Sequence, residues 1–107
     1  MLETANVAIA VYSDLEKTDT YIEDSSIAMT HMLLEAAELS LGAVWLQIRL
    51  RPSNKEGVSA EAFVNSKLNA PENMKLEALL VLGHIDESPN PQQMPCLPSE
   101  KVHCEQW

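Results

Sequence analysis

The sequence predicts an α+β fold. Three short apolar runs have strand character, one long apolar segment has the length and end signals of a helix, and short polar stretches join them. Hydrophobic residues make up 46% of the 107 positions. That suffices for a core in one small domain but leaves much of its surface exposed, so association with another subunit is a natural supplement to stability.

The first run, residues 6–12, reads Asn-Val-Ala-Ile-Ala-Val-Tyr, with β-branched side chains at Val7, Ile9 and Val11. It predicts a buried strand ending before Ser13-Asp14. Residues 21–41 predict the long helix. Asp24, Ser25 or Ser26 can cap its start, and Gly42 stands where a left-handed C-terminal cap is expected. Ile27, Met29, Met32, Leu33, Leu34, Ala36, Ala37 and Leu39 spread over most of its girth rather than along one stripe. A helix apolar on nearly all sides is buried in a large core or against a partner, and a chain this small favours the partner. Ala36 and Ala37 leave room for a second helix to approach.

Residues 43–48, Ala-Val-Trp-Leu-Gln-Ile, predict a second strand. The polar stretch 49–57 predicts a loop. Residues 59–68 predict a short helix, with Ala60, Phe63, Val64 and Leu68 at helical spacing and a break at Ala70-Pro71-Glu72-Asn73. Residues 76–85 predict a third strand, although Leu76, Glu77 and Ala78 also favour helix. Beyond Asp86 the chain is proline-rich and aperiodic. Residues 1–86 are therefore expected to form the folded part and 87–107 an extended C-terminal arm. Trp107 at its tip is costly to leave in water and is expected to dock.

Sixteen acidic against seven basic residues give a formal net charge of -9. Such a field repels nucleic acid and anionic membrane. No run is long enough to span a bilayer as a helix. Cys96 and Cys104 have neither CxxC spacing nor a matching histidine set, so no metal is assigned, and a reduced, cytoplasmic setting is expected. His31 reads as a hydrogen-bonded core or interface histidine, and Met29 and Met32 as packing residues. Arg49, Arg51 and Lys55 form the main basic cluster, which reads as a solvated loop or as a draw for a dinucleotide or flavin phosphate.

Several local patterns, in this order, resemble the C-terminal half of nitroreductase-family flavoproteins. Asp24-Ser25-Ser26-Ile27-Ala28 with Leu33-Leu34-Glu35-Ala36-Ala37 is similar to the family's long central helix. Leu39-Ser40-Leu41-Gly42-Ala43-Val44-Trp45-Leu46 is similar to its helix-to-strand turn. Leu79-Leu80-Val81-Leu82-Gly83-His84 resembles the strand that ends in Gly and commonly Tyr, and Val102-His103, Glu105 and Trp107 resemble the tail of short members. The resemblance implies a partial nitroreductase-like fold, a mostly antiparallel sheet on a long apolar central helix.

It also implies an FMN-dependent oxidoreductase passing electrons from NAD(P)H to a nitro, quinone or similar small aromatic acceptor, assembled as a homodimer with exchanged tails. By resemblance, Leu41, Gly42, Ala43 and Val44 would approach the flavin ring. A Gly and a small residue let backbone amides come close to a flat ligand. A plain cap role for Gly42 stands beside that one.

The departures are as specific. The family's arginine-rich opening and its middle segment have no counterpart here, so a truncated chain is expected, with weak or absent FMN binding by itself. Ser40 stands where Gly is common, and Gln47 where Gly often follows. No catalytic side chain is assigned, since in this family the chemistry belongs to the flavin. The alternative function is a flavin-free dimerisation or interaction remnant.

Overall fold

A computed structural model describes residues 5–87, 90, 91, 93 and 101–106. Five elements follow in order: β1 (Val7–Asp14), α1 (Tyr21–Glu38), β2 (Leu41–Gln47), α2 (Ala60–Leu68) and β3 (Met74–His84). The expected α+β fold is present. The three strands form one sheet in the order β1-β3-β2, and both pairings are antiparallel. The last strand in sequence is thus the centre of the sheet, which is why its run of apolar residues is nearly unbroken.

Alternation along β3 divides the core into two layers. Ala78 and Leu80 pack with Met29 of α1, joined by Val11, Ala43, Trp45 and Leu82. Leu79 and Val81 face the other way, toward Ile48 and Leu76, with Ala60 and Val64 of α2 at the margin. Strict alternation would put Leu76 on the opposite face from Leu79. The register shows how it is recovered: Val11 pairs with Ala78 and Tyr12 with Leu76, so Glu77 is an extra residue in β3. A bulge of this kind shifts the side-chain phase by one.

The bulged Glu77 is 2% exposed. Its carboxylate is fully engaged, accepting from Nε2 of Gln47 at 3.1 Å and from Nε of Arg49 at 2.7 Å. Gln47 in turn accepts from the Trp45 indole at 2.8 Å. The Glu77 carbonyl takes the backbone N–H of Arg49 at 3.0 Å and of Ile48 at 3.3 Å. A buried carboxylate is tolerated only with this degree of pairing. The expected basic cluster therefore dissolves. Arg49 turns onto Glu77, Lys55 lies over the Phe63 ring at 5.3 Å, and Arg51 stays exposed.

Both ends of α1 differ from expectation. Its N-cap residue is Thr20, which makes no side-chain capping bond. Asp24 instead accepts from the hydroxyls of Thr18 and Thr20 at 2.9 and 3.0 Å, and buried Ser25 bonds Ser13 at 2.8 Å. At the other end, the left-handed residue is Ser40 (φ 57°), not Gly42. Leu41 and Gly42 already pair with His84 and Gly83, and that pairing draws them into β2 and forces the turn two residues earlier. The short helix α2 is capped at both ends: Ser59 accepts from the N–H of Ala62 at 3.1 Å, and left-handed Asn69 ends it.

In this single chain, α1 buries only Ser25, Met29 and Ala36, while Ile27, Leu34 and Leu39 are more than half exposed. His31 is exposed as well, so it is not a core residue. No described helix is long and apolar enough to cross a membrane. Of the arm, residues 101–106 are exposed. Trp107, Cys96 and most of the proline-rich segment lie outside the described residues.

Three expectations follow. Met29 is wholly buried between helix and sheet, so Met29→Ala should cost about 3 kcal/mol in urea unfolding. Arg49→Met, which strands the Glu77 carboxylate, should cost about 3 kcal/mol, and adding Glu77→Leu should restore much of it. A double variant no more stable than the single one would show that the pair is not the unit. Asp14 accepts from the backbone of Glu16 and the amide of Asn73, which hold its carboxyl below the usual range, with Lys17 adding to the effect. A depressed folded-state pKa stabilises above the unfolded pKa and is lost as pH falls through the folded one. Acid unfolding monitored by circular dichroism should therefore have a shallower low-pH limb in Asp14→Asn.

Candidate functional site

The four residues expected to meet a flavin lie together at the start of β2, running Leu41, Gly42, Ala43, Val44. Among the described residues, β2 pairs only with β3, so it is a sheet edge. Along such an edge, alternate N–H and C=O groups point away from the sheet and are available to a ligand. Opposite them on β3 stand His84, Gly83, Leu82 and Val81.

Gly42 and Gly83 are therefore direct cross-strand partners. No side chain rises from either, and the pair leaves a bare strip of backbone across two strands. The positive-φ glycine of the chain is Gly57, so Gly42 is not held here by backbone conformation. Nor is it required by crowding: a Cβ on Gly42 would lie 3.5 Å from the Gly83 carbonyl and from Ile85 Cγ1, ordinary contact distances. A Cβ on Gly83 would meet nothing within 4 Å. The expected cap role of Gly42 is thus replaced by an open cross-strand strip. Sequence reasoning had not paired Gly83 with it; the register alone does.

Beside the strip lies a hollow of about 160 Å³ lined by Asn6, Val7, Leu41, Leu82, Gly83 and His84. Val7, Leu41 and Leu82 sit at alternating positions that share the α1 face with Val11, Ala43 and Leu80. Asn6 and His84 supply its polar groups. An apolar surface with a few polar handles is the usual lining of a small-molecule site. The strip and hollow fit the flat, largely apolar face of the flavin ring. They do not fit its phosphate, because no Lys or Arg is among the lining residues. Arg49, which lies just past the end of β2, is bound to Glu77. No group of three or more His, Cys, Asp or Glu among the described residues is arranged to hold a metal. Cys104 is a free, exposed thiol.

The model of the nitroreductase family matches residues 1–84. An inferred NADH dehydrogenase/NAD(P)H nitroreductase of Methanothermobacter thermautotrophicus is 31% identical over 110 aligned positions, covering all of this chain and 53% of that protein. An FMN-dependent nitroreductase from Clostridium difficile R20291 superposes with a TM-score of 0.89 at 33% identity, over 99% of this chain and 61% of that one. An inferred nitroreductase of Desulfovibrio desulfuricans, solved in complex with FMN, superposes with a TM-score of 0.65 at 26% identity. The chain spans 53% and 61% of the two curated relatives' lengths. On the family match and the shared fold, this chain belongs to the nitroreductase family.

Proposed function

We propose that this chain supplies one wall of the flavin site of a nitroreductase-type oxidoreductase. In that role Leu41–Val44 and the facing Gly83 offer backbone to the ring, and the hollow at Leu41, Leu82 and Val7 excludes water from one side of it. FMN, when bound, carries electrons from NAD(P)H to a nitro, quinone or similar aromatic acceptor, and the protein's part is to orient and shield. The observation that supports this most directly is the side-chain-free Gly42–Gly83 strip on an edge strand, in a chain of this family. A cytoplasmic setting accords with the same role.

The absence of Lys and Arg from the hollow's lining bears on affinity. Charge-assisted bonds to phosphate contribute about 1.5–3 kcal/mol each, so two missing ones lower affinity by several decades. The isolated chain should therefore bind FMN weakly and should hardly discriminate FMN from riboflavin, which shares the ring and lacks the phosphate. Fluorescence titration should give dissociation constants within about threefold of each other. A submicromolar constant for FMN alone would show that phosphate contacts exist and that the assignment is incomplete. Colourless protein that takes up neither flavin would favour the flavin-free interaction remnant.

Gly42→Ala separates binding from folding. The added methyl meets only ordinary contacts, so the melting temperature should hold within a few degrees, roughly the effect of 0.5 kcal/mol. Flavin binding should weaken, because the methyl stands between ring and backbone. Unchanged riboflavin binding would remove Leu41–Val44 from the site.

We further infer a homodimer built on α1. Ile27 at 57%, Leu34 at 64% and Leu39 at 61% exposure are the surface that α1 leaves to water in the single chain. Covering apolar area is worth about 25 cal/mol per Å². Leu34→Lys should shift the protein from dimer to monomer in sedimentation velocity at tens of micromolar protein while leaving the circular dichroism spectrum intact. A wild-type monomer under those conditions would remove the dimer.

A further inference from the structure

The outward face of α1 carries more than apolar side chains. At about 100° per residue, Ile27, His31, Leu34 and Glu38 fall within about 60° of one another. Buried Ser25, Met29 and Ala36 lie on the opposite side of the helix. Among the described elements, α1 packs only on the three strands. His31 is exposed, with Ile27 and Leu34 exposed on either side of it along the stripe. A titratable ring therefore stands at the centre of the apolar surface that α1 leaves to water.

We propose that His31 is a proton-operated switch of the α1 homodimer: two copies associate while the imidazole is neutral and separate when it takes up a proton. This role rests on the homodimer inferred above. A two-fold interface sets each residue near the axis against its own counterpart. Ile27 and Leu34 are the apolar pair, and the level midway between them along the helix is that of His31. An antiparallel crossing centred there puts Ile27 against the partner's Leu34 and His31 against the partner's His31. A parallel, in-register pairing brings the same two rings together.

A neutral imidazole has one N–H donor and one acceptor nitrogen, so two neutral rings can share a hydrogen bond. Two protonated rings have only donors and carry like charge. The free chain leaves a protonated ring in water, whereas the dimer withdraws it from water and faces it with a second cation. Desolvation and repulsion then act in the same direction against the charged form. Association is strongest where the ring of the free chain is neutral, and it is lost as the pH falls into the mildly acidic range where histidines take up a proton.

The other charged groups of this face are carboxylates, and α1 has no Lys or Arg. Glu35, one turn from His31, lies at the rim of the stripe beside water, so its attraction to a protonated ring is common to the free and paired chains. Asp24 and Glu38 are seven residues from His31 in either direction, about 10 Å along the helix, with Glu23 beyond. Asp24 is already engaged by the Thr18 and Thr20 hydroxyls. The switch therefore acts at the axis, through the two imidazoles.

Sedimentation velocity of the whole chain tests it at about pH 8 and about pH 6, in roughly 0.3 M salt to screen the net charge. If pairing disfavours protonation of each ring by about one pKa unit, the two rings together raise the dissociation constant about tenfold at the lower pH. His31→Gln, neutral at both pH values, should dimerise and lose most of this dependence. His31→Lys, charged at both, should dimerise about tenfold more weakly than wild type at the higher pH, with an unchanged circular dichroism spectrum. A wild-type monomer at the higher pH removes the dimer and the switch with it. A wild-type dimer as tight or tighter at the lower pH, a pH dependence retained in His31→Gln, or a His31→Lys dimer as tight as wild type overturns the switch and leaves the dimer standing.

Discussion

Every element of this chain is positioned by β3. Among the described residues it is the only strand with a neighbour on both sides, and both of its faces are covered between Leu76 and Val81. One face takes α1 through Met29, and the other takes Ile48 and the edge of α2. Burial on two faces within a three-stranded sheet leaves little tolerance in phase. The Glu77 bulge sets that phase, allowing Leu76 and Leu79 to share a layer although they are an odd number of residues apart.

The bulge has a chemical consequence. It places a carboxylate where water is excluded, and three side chains from β2 and its exit are arranged around it. Trp45 and Gln47 are two residues apart on one strand face and hydrogen-bond each other. Gln47 and Arg49 then divide the two oxygens of Glu77 between them. Replacing such a cluster by apolar side chains is often neutral or stabilising, whereas leaving one member unpaired is costly. Its value lies in fixing geometry: Gln47, which departs from the Gly that nitroreductase-like sequences often carry, braces the carboxylate that orients Arg49.

The two ends of the sheet therefore differ in kind. At the β2 start, side chains are withdrawn. Gly42 and Gly83 face one another, and the neighbouring hollow is mostly apolar, suited to a flat ring and bare of cations. At the β2 exit, charged side chains are concentrated and held. That separation is consistent with a family in which the protein provides shape and electrostatics and a cofactor provides the reaction. The chain spans 53% and 61% of the lengths of the two curated relatives, and no Lys or Arg is among the residues that line the hollow.

The sequence by itself determined the kinds of element and most of their positions. β-Branched alternation marked β1, length and apolar content marked α1, helical spacing marked α2, and the order of local patterns identified the family. It could not determine what depends on partners distant in the chain. Gly42 looks like a helix cap in isolation, since glycine is enriched there; pairing of Leu41 and Gly42 with β3 moves the left-handed residue to Ser40. Arg49 looks like loop charge until Glu77, 28 residues later, is folded against it. A lone Glu within the apolar run Leu76–Val81 was the available signal, but a single charge in a strand carries no information about its partner. Register, bulge and buried pairing are tertiary facts because each needs two segments to meet, and local propensity describes only one at a time.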